Sequence, residues 1–141
     1  MGPVVVHGTR SFRSEIEAGK HRLIADEPAD AGGADGGPTP YDYLSAALGA
    51  CTSMTMRFLA NRDGIPLEGS DIEVTNDRMY AKDCADCTSG SGYIHRFTVR
   101  IRLRGTLTPE QRESLFSAAK RCPVAKTLTH EIKIDEILME S

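Results

Sequence analysis

The sequence predicts an α+β protein forming a single domain over residues 1–141, with strands and helices in separate stretches instead of regular alternation. Three observations carry this expectation. The N-terminal stretch from Val4 to Ala25 is rich in β-branched and alternating residues, and two further alternating segments stand at 71–81 and 93–105. Two other runs each open on a threonine-proline pair, Thr39-Pro40 and Thr108-Pro109, which is how helices begin. A chain of 141 residues is long enough to bury about two-thirds of the surface its unfolded form exposes.

Taken in order, Val4 to Ala25 reads as an N-terminal hairpin, with a turn at Ala18-Gly19 and a last strand that stops before Pro28. "ADAGGADGGPTP" follows, without helical or strand period, and reads as a flexible surface connection or as a loop bordering a pocket. It is no nucleotide-binding fingerprint, since neither G-x-G-x-x-G nor G-K-[ST] links a strand to a helix here. A long central helix is expected from Pro40, with Thr39 as N-cap and Asp42 near a capping box, to Asp63-Gly64. Leu44, Leu48, Cys51, Thr55 and Phe58 recur at helical steps, which puts the Cys51 thiol on the inward stripe. Ala46, Ala47, Gly49 and Ala50 leave little bulk on the flanks, so a helix approached closely on more than one side is expected.

In the second strand pair Phe97, Val99, Ile101 and Leu103 face one side, and Thr98, Arg100, Arg102 and Arg104 the other, which reads as a solvated face. The polar segment between these strands holds Cys84 and Cys87. A second helix should run from Pro109 to Arg121, capped by Thr108 with Gln111. Pro123 ends it, and Cys122 is the expected N-cap of a short helix over "PVAKTL". "HEIKIDEILM" reads as a short closing strand.

With 17 Lys+Arg against 20 Asp+Glu there is no basic stripe, so a nucleic-acid partner is not expected. No apolar run approaches the roughly 20 residues of a membrane span, and "MGPVVVHGTR" does not read as a signal peptide, so a cytoplasmic protein without a membrane partner is expected. Four cysteines in that setting point to catalytic, redox or metal roles more than to structural disulfides. Cys51 lies about three turns into its helix, beyond reach of the helix dipole, whereas Cys122 lies at a helix start beside Lys120 and Arg121, with Lys126 a turn away. Local physics therefore makes Cys122 the more acidic thiol, although both also read as small buried hydrophobes. His7, His21, His95 and His130 show no ligand spacing.

"GPTPYDYLSAALGACTSMTMR" and "RCPVAKTL", their cysteines 71 positions apart, resemble the two cysteine motifs of the OsmC/Ohr family, and "ADEP", the glycine-rich loop and the order of elements extend the similarity over nearly the whole chain. The resemblance implies an α+β homodimer of two intertwined chains with buried central helices and active sites at the subunit interface. It implies reduction of organic hydroperoxides and hydrogen peroxide by thiols, without metal or prosthetic group. Cys51 would be the peroxidatic cysteine, Cys122 the resolving one, and an external dithiol the reductant. The guanidinium that stabilises the Cys51 thiolate would be Arg10, with Arg13 or Arg22 as fallback. Apolar surroundings of Cys51 would favour organic hydroperoxides, with Tyr41, Tyr43, Met54 and Phe58 as candidate pocket walls or ordinary packing.

The chain departs from the family pattern at two places. Hydroperoxide-specific members carry a glutamate ten residues before the peroxidatic cysteine, where this chain has Tyr41. Asp42, one position on and turned by about 100° on a helix, is either its substitute or a capping acid. The second departure, Cys84-x-x-Cys87, resembles a feature of a less characterised branch of the family and stands as a redox pair, as half of a zinc site, or as an exposed pair without function. Two rival readings follow. One is a small-molecule or partner-binding protein of the same fold without turnover; the other is a zinc-stabilised or redox-responsive protein centred on Cys84 and Cys87.

Overall fold

The structure, a computed structural model, describes residues 2–140. The chain forms two compact units, one up to Ala46 and one from Ala47 onward.

In the first unit, β1 (Val4–Gly8), β2 (Ser14–Ala18) and β3 (His21–Ala25) form an antiparallel sheet in the order β1-β2-β3. The expected hairpin is therefore a three-stranded meander. Its turn lies one residue further along than expected: Ala18 pairs with His21, which leaves Gly19 and Lys20 as the two-residue loop, with Gly19 at φ 61°. The glycine-rich stretch is an ordered loop, not a flexible connection. Asp26, 3% exposed, accepts backbone N–H groups from Glu27 at 2.8 Å, Gly36 at 3.0 Å and Ala34 at 3.4 Å. Those bonds hold its carboxyl below the usual carboxylate range, with Arg13 nearby adding to the effect. Gly33 is required there, because a Cβ would collide with the Glu27 carbonyl oxygen.

Helix α1 (Pro40–Asp63) begins as the sequence predicts. The Thr39 N–H donates to Asp42 Oδ2 at 2.9 Å and the Asp42 N–H to Thr39 Oγ1 at 3.1 Å, a capping box built with aspartate. Tyr43 donates its hydroxyl to the Ile24 carbonyl at 2.6 Å and ties this first turn to the end of β3.

In the second unit, β4 (Gly69–Tyr80) and β5 (Tyr93–Arg104) make a long antiparallel hairpin in which Thr75 faces Thr98. Its outer face is wet, with Arg100 bonded to Glu73 at 3.2 Å and Arg104 paired with Asp71. Ile72, Ile101 and Leu103 of the inner face pack against a core of Met56, Leu59 and Ala60 from α1, Leu67, and Leu115, Ala118 and Ala119 from α2 (Pro109–Ala119). Helix α2 is capped as expected: Thr108 accepts the Gln111 N–H at 3.1 Å while the Gln111 side chain accepts the Thr108 N–H at 3.0 Å. The short helix α3 (Pro123–Thr129) follows with Cys122 as N-cap.

Two expectations fail in this unit. The buried stripe of α1 is Leu48, Gly49, Thr52, Met56, Leu59 and Ala60, so Cys51 sits half-buried at its margin while Leu44 and Phe58 are exposed. The reason is the approach of β4 at Gly49, where a Cβ would lie 3.2 Å from Val74 Cγ2 and 3.6 Å from Ile72 Cγ2. Close approach is seen at Gly49, and Ala47 and Ala50 are exposed in the described chain. The closing strand does not form either. Residues 131–140 are exposed and outside any strand, and their apolar side chains, among them Ile134 and Leu138, meet no pairing partner in the described chain. Among the described residues no helix is long and apolar enough to cross a membrane.

Candidate active site

Cys51 on α1 and Cys122 at the start of α3 are both free cysteines. They come together because α2 lies on the core beside α1 and Pro123 stops it there, which leaves Cys122 fully buried against Thr52 and Cys51. Burial pushes the Cys51 thiol up, and the neighbouring Cys122 thiol pushes it further. Burial also works against a Cys122 thiolate, but the neighbouring Cys51 thiol and the backbone N–H groups of Ala125 and Val124 outweigh it and bring that thiol down. The shifts make Cys122 the more acidic thiol of the two, in agreement with the acidity expected from helix position.

Access runs the other way. A cavity of about 720 Å³ opens on Cys51 and has an apolar wall that includes Ala50, Met54, Phe58 and Pro123. Cys122 does not line it. Arg62, Arg121 and Lys126 also line this cavity. Arg62 is held by Asp63 at 2.8 Å, whereas Arg121 and Lys126 make no ion pair among the described residues. Arg62 stands 62 − 51 = 11 positions after Cys51, about 20° away around the helix, so helical spacing carries a signal for it that the expected pocket walls leave out.

The other candidate residues divide clearly. Met54 and Phe58, each 70% exposed, line the Cys51 cavity, and Tyr41 and Tyr43 do not. The Asp42 carboxylate is engaged in the α1 cap. Arg10 is exposed in the β1–β2 connection with no ion pair among the described residues, Arg13 is beside Asp26, and Arg22 is held by Glu17 at 3.6 Å and by the Gly19 carbonyl at 3.1 Å. Cys84 and Cys87 are joined in a disulfide, with Cα atoms 5.5 Å apart.

Comparison with known proteins agrees with this architecture. No match was found among curated protein sequences. Of solved structures, a Psychrobacter arcticus protein named for osmotic stress induction and a detoxification response superposes with a TM-score of 0.70 at 23% identity, over 90% of this chain and 88% of its own. An organic hydroperoxide resistance protein OsmC from Legionella pneumophila gives 0.60 at 24%, covering 90% of this chain and 88% of that one. The organic hydroperoxide resistance protein OhrB of Bacillus subtilis gives 0.63 at 22%, covering 90% and 89%. At these identities the likeness speaks for the fold, and the family profile described as OsmC-like protein matches residues 32–136. By that match, which spans both cysteine motifs and most of the chain, this protein belongs to the OsmC-like family.

Proposed function

We propose that the chain is a single-domain, homodimeric thiol peroxidase of the cytoplasm, reducing organic hydroperoxides and also hydrogen peroxide. The observation that carries this reading is the pair of free, neighbouring cysteines of which only Cys51 opens to a cavity with an apolar wall. Acidity favours Cys122 and access favours Cys51. Access decides, because a sulfur without exposed surface cannot meet a peroxide.

The Cys51 thiolate attacks the distal peroxide oxygen. An S–O bond forms, the O–O bond breaks, and the alkoxide leaves as alcohol on taking a proton. Cys122 then attacks the Cys51 sulfenic acid sulfur; the S–S bond forms and water leaves. An external dithiol reduces this disulfide and is itself oxidised to a disulfide. Arg10 is our candidate for the cation that favours the Cys51 thiolate, supported by its having no ion pair among the described residues, where Arg13 and Arg22 are engaged. The homodimer is supported by apolar surface that this chain leaves open, notably Met54, Phe58 and the tail residues Ile134, Ile137 and Leu138.

A second reading, a binding protein of the same fold without turnover, is favoured by one observation: Tyr41 stands where hydroperoxide-specific members carry glutamate, and Asp42 is used as a cap. Peptide mass spectrometry after one equivalent of cumene hydroperoxide, without air, separates the two. The peroxidase gives a Cys51–Cys122 disulfide with loss of about two mass units. Unconsumed hydroperoxide with both thiols reduced leaves the binding protein.

A further inference from the structure

Cys84 and Cys87 lie in the connection between β4 and β5, outside the site just described. The base of this connection is clamped. Tyr80 and Tyr93 stack with centroids 4.8 Å apart, and the Ala81 N–H donates to the Gly92 carbonyl at 2.8 Å. A 3-10 turn over Ala81–Asp83 then brings the Cys84 N–H to the Ala81 carbonyl at 3.1 Å, which sets the two cysteines on one tight bend. Their sulfurs are bonded there and both residues keep solvent-accessible surface. Arg96, on β5, reaches across: its Nη2 is 3.5 Å from Cys84 Sγ and 2.8 Å from Asp86 Oδ1.

We propose that Cys84 and Cys87 form a second thiol–disulfide centre that exchanges with low-molecular-weight disulfides and thiols, Cys84 being the attacking sulfur. The Cys84 thiolate attacks one sulfur of an aliphatic disulfide; a mixed disulfide forms and one partner thiolate leaves. The Cys87 thiolate then attacks the Cys84 sulfur, closing the intramolecular bond and releasing the second partner thiolate. The chain loses two electrons and the partner disulfide gains them. Arg96 is a positioning residue: its guanidinium lies at Cys84 Sγ and favours the thiolate there. A zinc site fits less well. Cys84, Asp86 and Cys87 bring their ligand atoms within 4.8 Å of one another, but a structural site takes four donors, and Asp86 is already paired with Arg96. This centre does not depend on the peroxidase reading.

The test uses the reduced, desalted full chain in air-free buffers of varied reduced to oxidised glutathione, quenched in acid and mapped by mass spectrometry. The tryptic segment 83–96 carries Cys84 and Cys87 and no other cysteine, so its state is read separately from that of Cys51 and Cys122. Reversible passage between dithiol and internal disulfide supports the proposal. Removing the guanidinium lowers the thiolate fraction at Cys84 and returns part of that loss in nucleophilicity, so Arg96→Gln should slow oxidation about threefold at neutral pH, and Asp86→Asn should speed it. Unchanged rates in both variants overturn the role of Arg96. Thiols that stay reduced at every ratio, that stop at a glutathione adduct, or that are shielded by one zinc per chain overturn the centre itself.

Discussion

Cys84 and Cys87 are three residues apart and are brought together by the turn that carries them, whereas Cys51 and Cys122 stand 71 positions apart and meet only where α1 and α2 pack on one core. Closing a loop of 71 residues costs about 3 kcal/mol more than closing one of three. The near pair is thus a local property of a hairpin, and the far pair is a property of the folded unit. The difference teaches that burial and reactivity have separate causes in the two: one sulfur pair is sheltered by tertiary packing and opened through a cavity, the other is set by a bend and a neighbouring guanidinium.

The strongest way to break this comparison is chemical. Cys51→Ser should bring hydroperoxide consumption to the uncatalysed background, while the 83–96 segment still forms its disulfide with oxidised glutathione; equal loss at both sites would mean that the pairs are one system. Cys122→Ser should allow one oxidation and then let Cys51 pass to sulfinic acid, read as a gain of about 32 mass units on the intact chain. Packing is the next lever. Leu115 is fully buried, and Leu115→Ala should destabilise the fold by about 2–5 kcal/mol in urea titrations, with loss of Cys51–Cys122 coupling at urea concentrations where the near pair still exchanges. Thr108→Ala removes the α2 cap and should cost about 1 kcal/mol in the same titration, weakening the far pair in the same sense.

The smallest effect on either pair should come from Asp26, in the first unit. Its folded pKa is depressed from 3.8, so its contribution to stability is fully present above that value and is lost as pH falls through the folded pKa. Acid unfolding followed by circular dichroism should show a shallower acid limb in Asp26→Asn, with both sulfur pairs oxidising at wild-type rates at neutral pH. A steeper limb would reverse the sign of the argument.

Local chemistry was legible in the sequence. Thr39 and Thr108 cap their helices, Cys122 opens α3, and the alternation in β5 puts arginines on the wet face, since each of these is decided within a few residues. What depends on distant chain was less so. The buried face of α1 is chosen by β4 arriving at Gly49, which helical spacing alone does not encode, so the stripe was placed one step away. Residues 130–139 carry strand-like alternation, yet a strand needs a neighbour and the described chain offers none. The glycine-rich loop has no period to read, because its order comes from one aspartate gathering three amides. In the candidate site, the meeting of Cys51 and Cys122 was expected only by family likeness, and the cavity cations Arg62, Arg121 and Lys126 became a group only in three dimensions.

The sealing of Cys122 also bears on how this protein answers a labelling reagent. Its sequence contains four cysteines, but Cys84 and Cys87 are tied to each other and Cys122 has no surface, so a bulky maleimide added to the native chain with Cys51 and Cys122 reduced should count a single site, Cys51. That one label would also cap the thiol that neighbours Cys122. A fluorophore attached there would therefore report on the hidden sulfur from a position that reagents can reach.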